Sequence, residues 1–409
     1  MRWIPVVLCS LVASVASAGT LRVPQDFPTI QAAVDAASSG DTVRIGKGRF
    51  LENVTVPGGK DNLTIRGSGK GTIVDGRPFG AVGSGPAFEV TANGFRLENL
   101  TARFALGFTP SVIRITGDDA VVRRVRVDGA VDQGLVVVGH RARVERCASR
   151  GGDVGIVVAG NDASIRDCVV ANVLEIGIGA SGSQARIRGC RVTNAVESAI
   201  VVMGFGAVVE KNRVSGSGDD AIIISTDHVK ATGNVVQSSA GDHGGIVVDM
   251  ATSGVIAKNV MTDCDGPAVT VFATASGLEI VGNRASRCGR EAVATFVIDG
   301  TDNVLVGNRV TDAAGDGISV NALHNVLTKN TVLRSALDGF EIGASATLVN
   351  NVARDNHAEG ISIVVLGVSL TGNKAQKNRT DIASTFALDA FAGNQFGTGG
   401  EGVAPEIDD

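Results

Sequence analysis

The chain has 409 residues, 37 Lys and Arg against 42 Asp and Glu, and a formal charge of −5. That balance argues against a nucleic-acid partner, and beyond the first eighteen residues no apolar run approaches the roughly twenty residues of a membrane span. Gly is very frequent (54), Tyr is absent and Trp occurs once, so aromatic platforms for neutral sugars are scarce.

In chain order, residues 1–18, MRWIPVVLCSLVASVASA, combine Arg2, an apolar stretch and the small-residue pattern Ala16-Ser17-Ala18. This is the form of a secretory leader cut before Gly19, and it predicts a secreted, periplasmic or cell-surface protein. Trp3 would leave with it. A lipid anchor at Cys9 fits poorly, because the preceding Leu8 is bulky. Residues 27–37, FPTIQAAVDAA, place Ile30, Ala33, Val34 and Ala37 on one side of a short amphipathic helix. Such a helix suits the open end of a stacked structure. DTVRI, ENVTV and NLTIRG follow as irregular first strands.

From about residue 125 onward a repeat dominates. VERCAS, IRDCVV, IRGCRV, VEKNRV, ATGNVV, IAKNVM, IVGNRA, LVGNRV, LTKNTV, LVNNVA, LTGNKA and FAGNQF align on Cys147, Cys168, Cys190, Asn212, Asn234, Asn259, Asn283, Asn308, Asn330, Asn351, Asn373 and Asn394, at intervals of 21 to 25 residues. Val125 and Asn99 extend the register toward the N-terminus. A second apolar strand recurs between these positions, as in GIVVAG, AIIIST, GISVNA and GISIVV. Short Val- and Ile-rich strands separated by Gly, Asn, Asp and Ser leave no room for a three-turn helix.

The expected fold is therefore an all-β, right-handed parallel β-helix of about thirteen coils, spanning residues 19–396 as one domain, with a loose polar tail at 397–409. Ile156, Ile200, Ile222, Ile246, Ile318 and Ile361 should stack inward. Asn at the repeated position tolerates left-handed backbone and both donates and accepts hydrogen bonds, so stacked copies would satisfy a buried bend. Cys147, Cys168 and Cys190 occupy that position, while Cys264 and Cys288 lie five residues beyond a ladder Asn. Buried thiol stacks are expected, although coil spacing would also allow a disulfide.

The opening VPQDFPTIQAAVDAASSGDTVRIGKGRFLENVTV and the Asn-bearing coils resemble the pectin-lyase-like superfamily, including the cap-and-first-coil segment of pectin esterases and NosD-type proteins. The resemblance covers most of residues 19–396. It implies a β-helix and leaves the activity open, because the superfamily includes lyases, hydrolases, esterases, epimerases, tailspikes and adhesins.

AVESAIVV, GSGDDAIII and GDHGGIVV lie on three successive coils, which should bring Glu197, Asp219, Asp220, Asp242 and His243 to the entrances of adjacent strands. Neighbouring carboxylates repel one another and raise at least one pKa, so that an acid and a base coexist near neutrality. The set is similar to that of the family 28 polygalacturonases. By that resemblance Asp220 is the general acid, Glu197 and Asp219 activate water, and His243 tunes the acid; Asp242 is the candidate substrate-binding carboxylate. Against the family pattern the first acid is Glu, the His is one residue out of register, and no Arg-x-Lys follows.

Acidic residues also occupy most other corners, among them Asp132, Asp153, Glu175, Asp265, Glu291, Asp316, Asp338, Glu359 and Asp381, where they serve as turn residues. Stacked carboxylates would suit Ca²⁺, the ion that the similar pectate lyases use. The functional expectation is binding or processing of a polysaccharide, with acidic ones favoured. The alternative is a noncatalytic cell-surface scaffold that binds glycans or proteins. The outward strand positions Val136, Val157, Val201, Ile223 and Val247 favour a contact face.

Overall fold

The computed structural model describes residues 18–76, 85–105, 111–290 and 293–397. The expected leader and tail fall almost wholly outside the described residues, as does Glu291.

Successive coils pair strand on strand in parallel, forming one sheet of 31 strands and one of 15. The larger sheet runs around a corner: its strands Arg143–Glu145 and Ala148–Arg150 are separated by the bend at Cys147, and each pairs with the matching strand one coil on. The smaller sheet closes the third side of the coils between the first and the last. About sixteen turns result, against the thirteen expected. The difference lies at the N-terminus, where Thr20–Val23, Thr42–Ile45 and Thr64–Arg66 already pair in coil register although they lack the repeated polar residue.

Among the described residues the one α-helix, Ile30–Ala36, caps this end. Thr29 accepts from the Ala32 amide, and the Glu52 carboxylate accepts from the Ile30 and Gln31 amides at 3.0 Å each, so a charge from the neighbouring coil occupies the positive helix end. Ile30, Ala33 and Val34 turn into the core. The six inward isoleucines are at most 1% exposed.

The corner explains the repeated Asn. Asn283 shows the pattern: its backbone amide and Nδ2 both donate to Asn308 Oδ1 (2.9 and 3.0 Å), Nδ2 also donates to the Ile256 carbonyl (2.7 Å), and Oδ1 accepts from the amide and Nδ2 of Asn259 (3.0 and 2.9 Å). The same bonds run from Asn212 to Asn394. The three cysteines continue the column: Cys190 Sγ donates to the Ile165 carbonyl, as Asn212 Nδ2 donates to that of Ile187.

Two expectations need correction here. The left-handed residue is the one before the ladder position, with φ of 53° at Arg146, 55° at Lys211 and 56° at Lys258, and Asn itself is not the strained residue. Its side chain must point inward to reach the next coil, and the preceding residue makes the bend. For the same reason Val125 pairs with Leu100, and Asn99 (φ 55°) belongs to the bend column.

All five described cysteines are buried and free. Hydrogen bonding to a neighbouring thiol and then burial push Cys168, Cys190 and Cys288 upward, which keeps them protonated. Cys264 and Cys288 sit at a second corner, each after a left-handed residue, Asp263 and Arg287. Farther along, this corner carries a shorter ladder from Ser335 through Asn356 and Asn378 to Asp381.

Gly often stands at the entrance to strands of the smaller sheet, as Gly177, Gly317 and Gly339 do, because the next coil approaches closely there. A Cβ on Gly317 would lie 2.2 Å from Val332 and 2.6 Å from the Gly339 carbonyl.

Removing one mid-ladder amide leaves several buried groups without partners, each costing about 1–3 kcal/mol. Asn283→Ala should lower stability by on the order of 3 kcal/mol in urea or thermal unfolding. Asn394→Ala, at the half-buried last rung, should cost clearly less.

Candidate functional site

The site residues stand where strands of the smaller sheet begin. Counting back from the paired Ile200, Ile222 and Ile246 places Glu197 and Asp219 in one column and Ser198, Asp220 and Gly244 in the next. On the third coil the turn is longer: Gly241 lies against Asp219, and His243 comes from the inserted residues beside Asp220.

Asp220 is the buried member, 5% exposed. Its Oδ1 accepts from the Gly244 amide at 2.8 Å, and its Oδ2 lies 3.8 Å from His243 Nδ1, a charge contact too long for a hydrogen bond. Burial first, and then the neighbouring Asp219 charge, raise its pKa to about 6. A carboxyl that holds its proton into the weakly acidic range beside exposed carboxylates is suited to donating that proton.

The other members differ in setting. Glu197 and Asp219 are exposed. Asp242 forms an exposed ion pair with Arg290, 2.9 Å away, a partner 48 residues distant that sequence spacing does not disclose. His243 is half exposed, packs edge-on to Phe272 with ring centroids 4.9 Å apart, and accepts from Thr270 Oγ1 through its carbonyl.

The outward strand face is less open than expected. Val247 and Thr270 are 2% and 3% exposed, and Val136 is 6% exposed, while Val157, Val201 and Ile223 are half-buried. The hydrogen bond from Thr270 to the His243 carbonyl draws the chain at His243 against this face. The long repeat intervals between Asn234 and Asn308 supply the extra residues.

Farther along the Asp220 column stand Asp316, Asp338 and Glu359, which the sequence marked only as turn formers. They do serve the turns: Asp316 Oδ1 accepts from the Asp338 amide, and Asp338 Oδ1 from the Glu359 amide, both at 2.8 Å. Burial first, and then a hydrogen bond shared with Glu359, raise Asp338 to about 7; burial also raises Asp316. Nearby, Ser319 Oγ donates to Glu341 Oε2 at 2.8 Å. No group of three or more His, Cys, Asp or Glu among the described residues is arranged to hold a metal ion.

Asp338 and Asp220 keep protons in the folded chain that the unfolded chain releases near the ordinary carboxylate value of 3.8. The native state therefore binds more protons across this window, so stability is highest below it and falls as pH rises through about 6 to 7. Asp338→Asn should flatten the decline of the melting temperature between about pH 4 and about pH 8, and should raise it at the upper end.

The chain is similar to several solved structures. The catalytic domain of GH87 alpha-1,3-glucanase in complex with nigerose is 13% identical over 92% of this chain and 69% of its own, with a TM-score of 0.41. DFA-IIIase from Arthrobacter chlorophenolicus A6 without its lid is 14% identical over 82% and 95%, with a TM-score of 0.44. The N-terminal fragment of bacteriophage Phi29 gene product 12 is 12% identical over 90% and 89%, with a TM-score of 0.46. No curated protein sequence matches this chain. The family described as right handed beta helix region matches residues 111–238, 176–323 and 220–396. With those matches spanning most of its length, the chain belongs to the right-handed β-helix family.

Proposed function

We propose that the protein is an exported β-helix that processes a polysaccharide, acidic ones first, with Asp220 as the proton donor. The observation that carries this reading is the Asp220 carboxyl, 5% exposed, held by the Gly244 amide and raised to about 6 at the mouth of a strand that also presents Asp219 and His243. In this reading Asp220 protonates the glycosidic oxygen, Glu197 and Asp219 activate water on the other face of the sugar, and His243 tunes the acid through its charge. Asp242, held by Arg290, positions substrate. Export rests on the leader pattern at 1–18; no described helix is long and apolar enough to cross a membrane.

A noncatalytic scaffold is the second reading. It is favoured by the covered face at Val247 and Thr270 and by the exposed Met203, Phe205 and Met250, which make a contact surface for another molecule.

A product assay on a panel of uronic-acid and neutral polysaccharides separates the two. Asp220→Asn should lower product release at least about a hundredfold, and the wild-type rate should fall as pH rises above about 6, where the acid loses its proton. Equal turnover by wild type and variant removes Asp220 as the acid. No turnover of any polymer favours the scaffold.

A further inference from the structure

At the N-terminal end of the larger sheet, three depressions of about 550, 360 and 440 Å³ adjoin one another. The first two share Arg44 and Ser68, and the first and third share Gly69 and Asn99. Together they form one elongated groove reaching from Arg22 to Arg146, along the direction in which the coils stack. No Asp or Glu lines any of them among the described residues. The chain as a whole is acidic, so this is a local segregation of positive charge.

The cations are placed by the fold. Arg22, Arg44 and Arg66 sit directly over one another on three successive coils, a spacing of about 4.8 Å. Like charges stacked in this way destabilise a sheet. The outer two are neutralised, Arg22 by Asp26 at 3.0 Å and Arg66 by Glu98 at 2.8 Å. Arg44, between them, is exposed and has no ion pair among the described residues, and the same holds for Lys70, Arg124 and Arg146 in the third depression.

A rigid shelf runs through the groove. Ser68 Oγ donates to the Ile45 carbonyl, the Ser68 amide to Thr72 Oγ1, and Thr72 Oγ1 to the Gly46 carbonyl, at 2.8–2.9 Å. The Gly67 and Gly69 amides donate to Glu98 and Asn99 carbonyls. A Cβ on Gly67 would lie 2.5 Å from the Asn99 carbonyl, so only glycine lets the shelf lie this close. A site already fixed in shape loses little freedom on binding.

We propose that this groove binds a linear anionic polysaccharide, with Arg44 gripping one carboxylate or sulfate and Lys70, Arg124 and Arg146 meeting the next ones along the chain. A repeating anion relieves the repulsion that the coil spacing imposes, and guanidinium forks bind such groups in pairs of hydrogen bonds. The advance of one coil is comparable with that of one residue of an extended sugar polymer. Nucleic acid fits less well, because among the described residues no aromatic side chain lines the groove to stack a base. Arg44 lies seven coils from Asp220, roughly 35 Å at about 4.8 Å per coil, and the near end of the groove at Arg146 lies three coils from it, so the groove is separate from Asp220 and binds whether or not Asp220 is catalytic.

The test is affinity electrophoresis of the full-length protein in gels containing polygalacturonate, dextran sulfate or neutral dextran, with single-stranded DNA as competitor. Wild type should be retarded by at least one anionic polymer and not by dextran, less so as salt is raised. Retardation by polygalacturonate identifies carboxylate recognition, and retardation by dextran sulfate alone identifies sulfate. Arg44→Glu combined with Lys70→Glu should weaken binding at least about tenfold, whereas Lys374→Glu, an exposed cation on the far coils outside the groove, should leave it unchanged. Thermal melting checks that the variants fold, and Arg124→Gln with Arg146→Gln provides a second pair, expected to show a smaller loss. The proposal is overturned if neither anionic polymer retards wild type, if folded variants of both pairs bind as wild type does, or if DNA displaces the polymer at equal charge concentration.

Discussion

The structure depends on one recurring bond: the side-chain amide of a corner Asn accepting from the amide of the coil before it. A coil must turn sharply, and that turn is sealed from water on one side by the core and above and below by its neighbours. Its peptide groups then have no solvent to bond. The Asn column supplies partners inside the stack, with both Asn283 donors and its Oδ1 engaged. With the corners closed, the strands between them fall into register. Every column of outward or inward side chains, including the one that carries Asp220, inherits its alignment from this.

Much of this was legible because the period is a property of the backbone and leaves its mark in every unit. The inward isoleucines, the capping helix and the Asn and Cys column all stand where the spacing put them. The misses are those of a neighbouring residue or a distant one. Asn99 resembles a ladder residue in type, but Leu100 occupies the inward position. The bend residues include Lys211 and Arg146, whose type gives no hint of left-handed backbone. For the site, spacing located Asp220 and its neighbours on adjacent coils. It did not show which carboxyl would be buried, that the chain at His243 would lie against Val247 and Thr270, or that Arg290 would reach Asp242. Those facts depend on how long loops fold back, which no local pattern encodes.

The overall charge is similarly uninformative about the surface. Carboxylates gather at the entrances to the smaller sheet, where they accept amides from the next coil. Cations gather on the larger sheet, stacked as Arg22, Arg44 and Arg66 near the cap and as Arg191 over Arg213 and Arg284 over Arg309 farther along. Composition averages these columns into a mildly acidic chain, although the larger sheet also carries carboxylates such as Glu98, Glu145 and Glu210 that pair with its arginines.

The rungs of the ladder are interchangeable, and that bears on how such a rod changes over generations. Each Asn between Asn234 and Asn373 bonds forward and backward in the same way, so a duplicated or deleted unit would meet neighbours already shaped to receive it. Stability in a stack of this kind is a sum over adjacent pairs. Length is thus a freely adjustable character of the lineage. The helix at Ile30–Ala36, bonded to Glu52 by contacts found nowhere else among the described residues, is a terminus that can be used once.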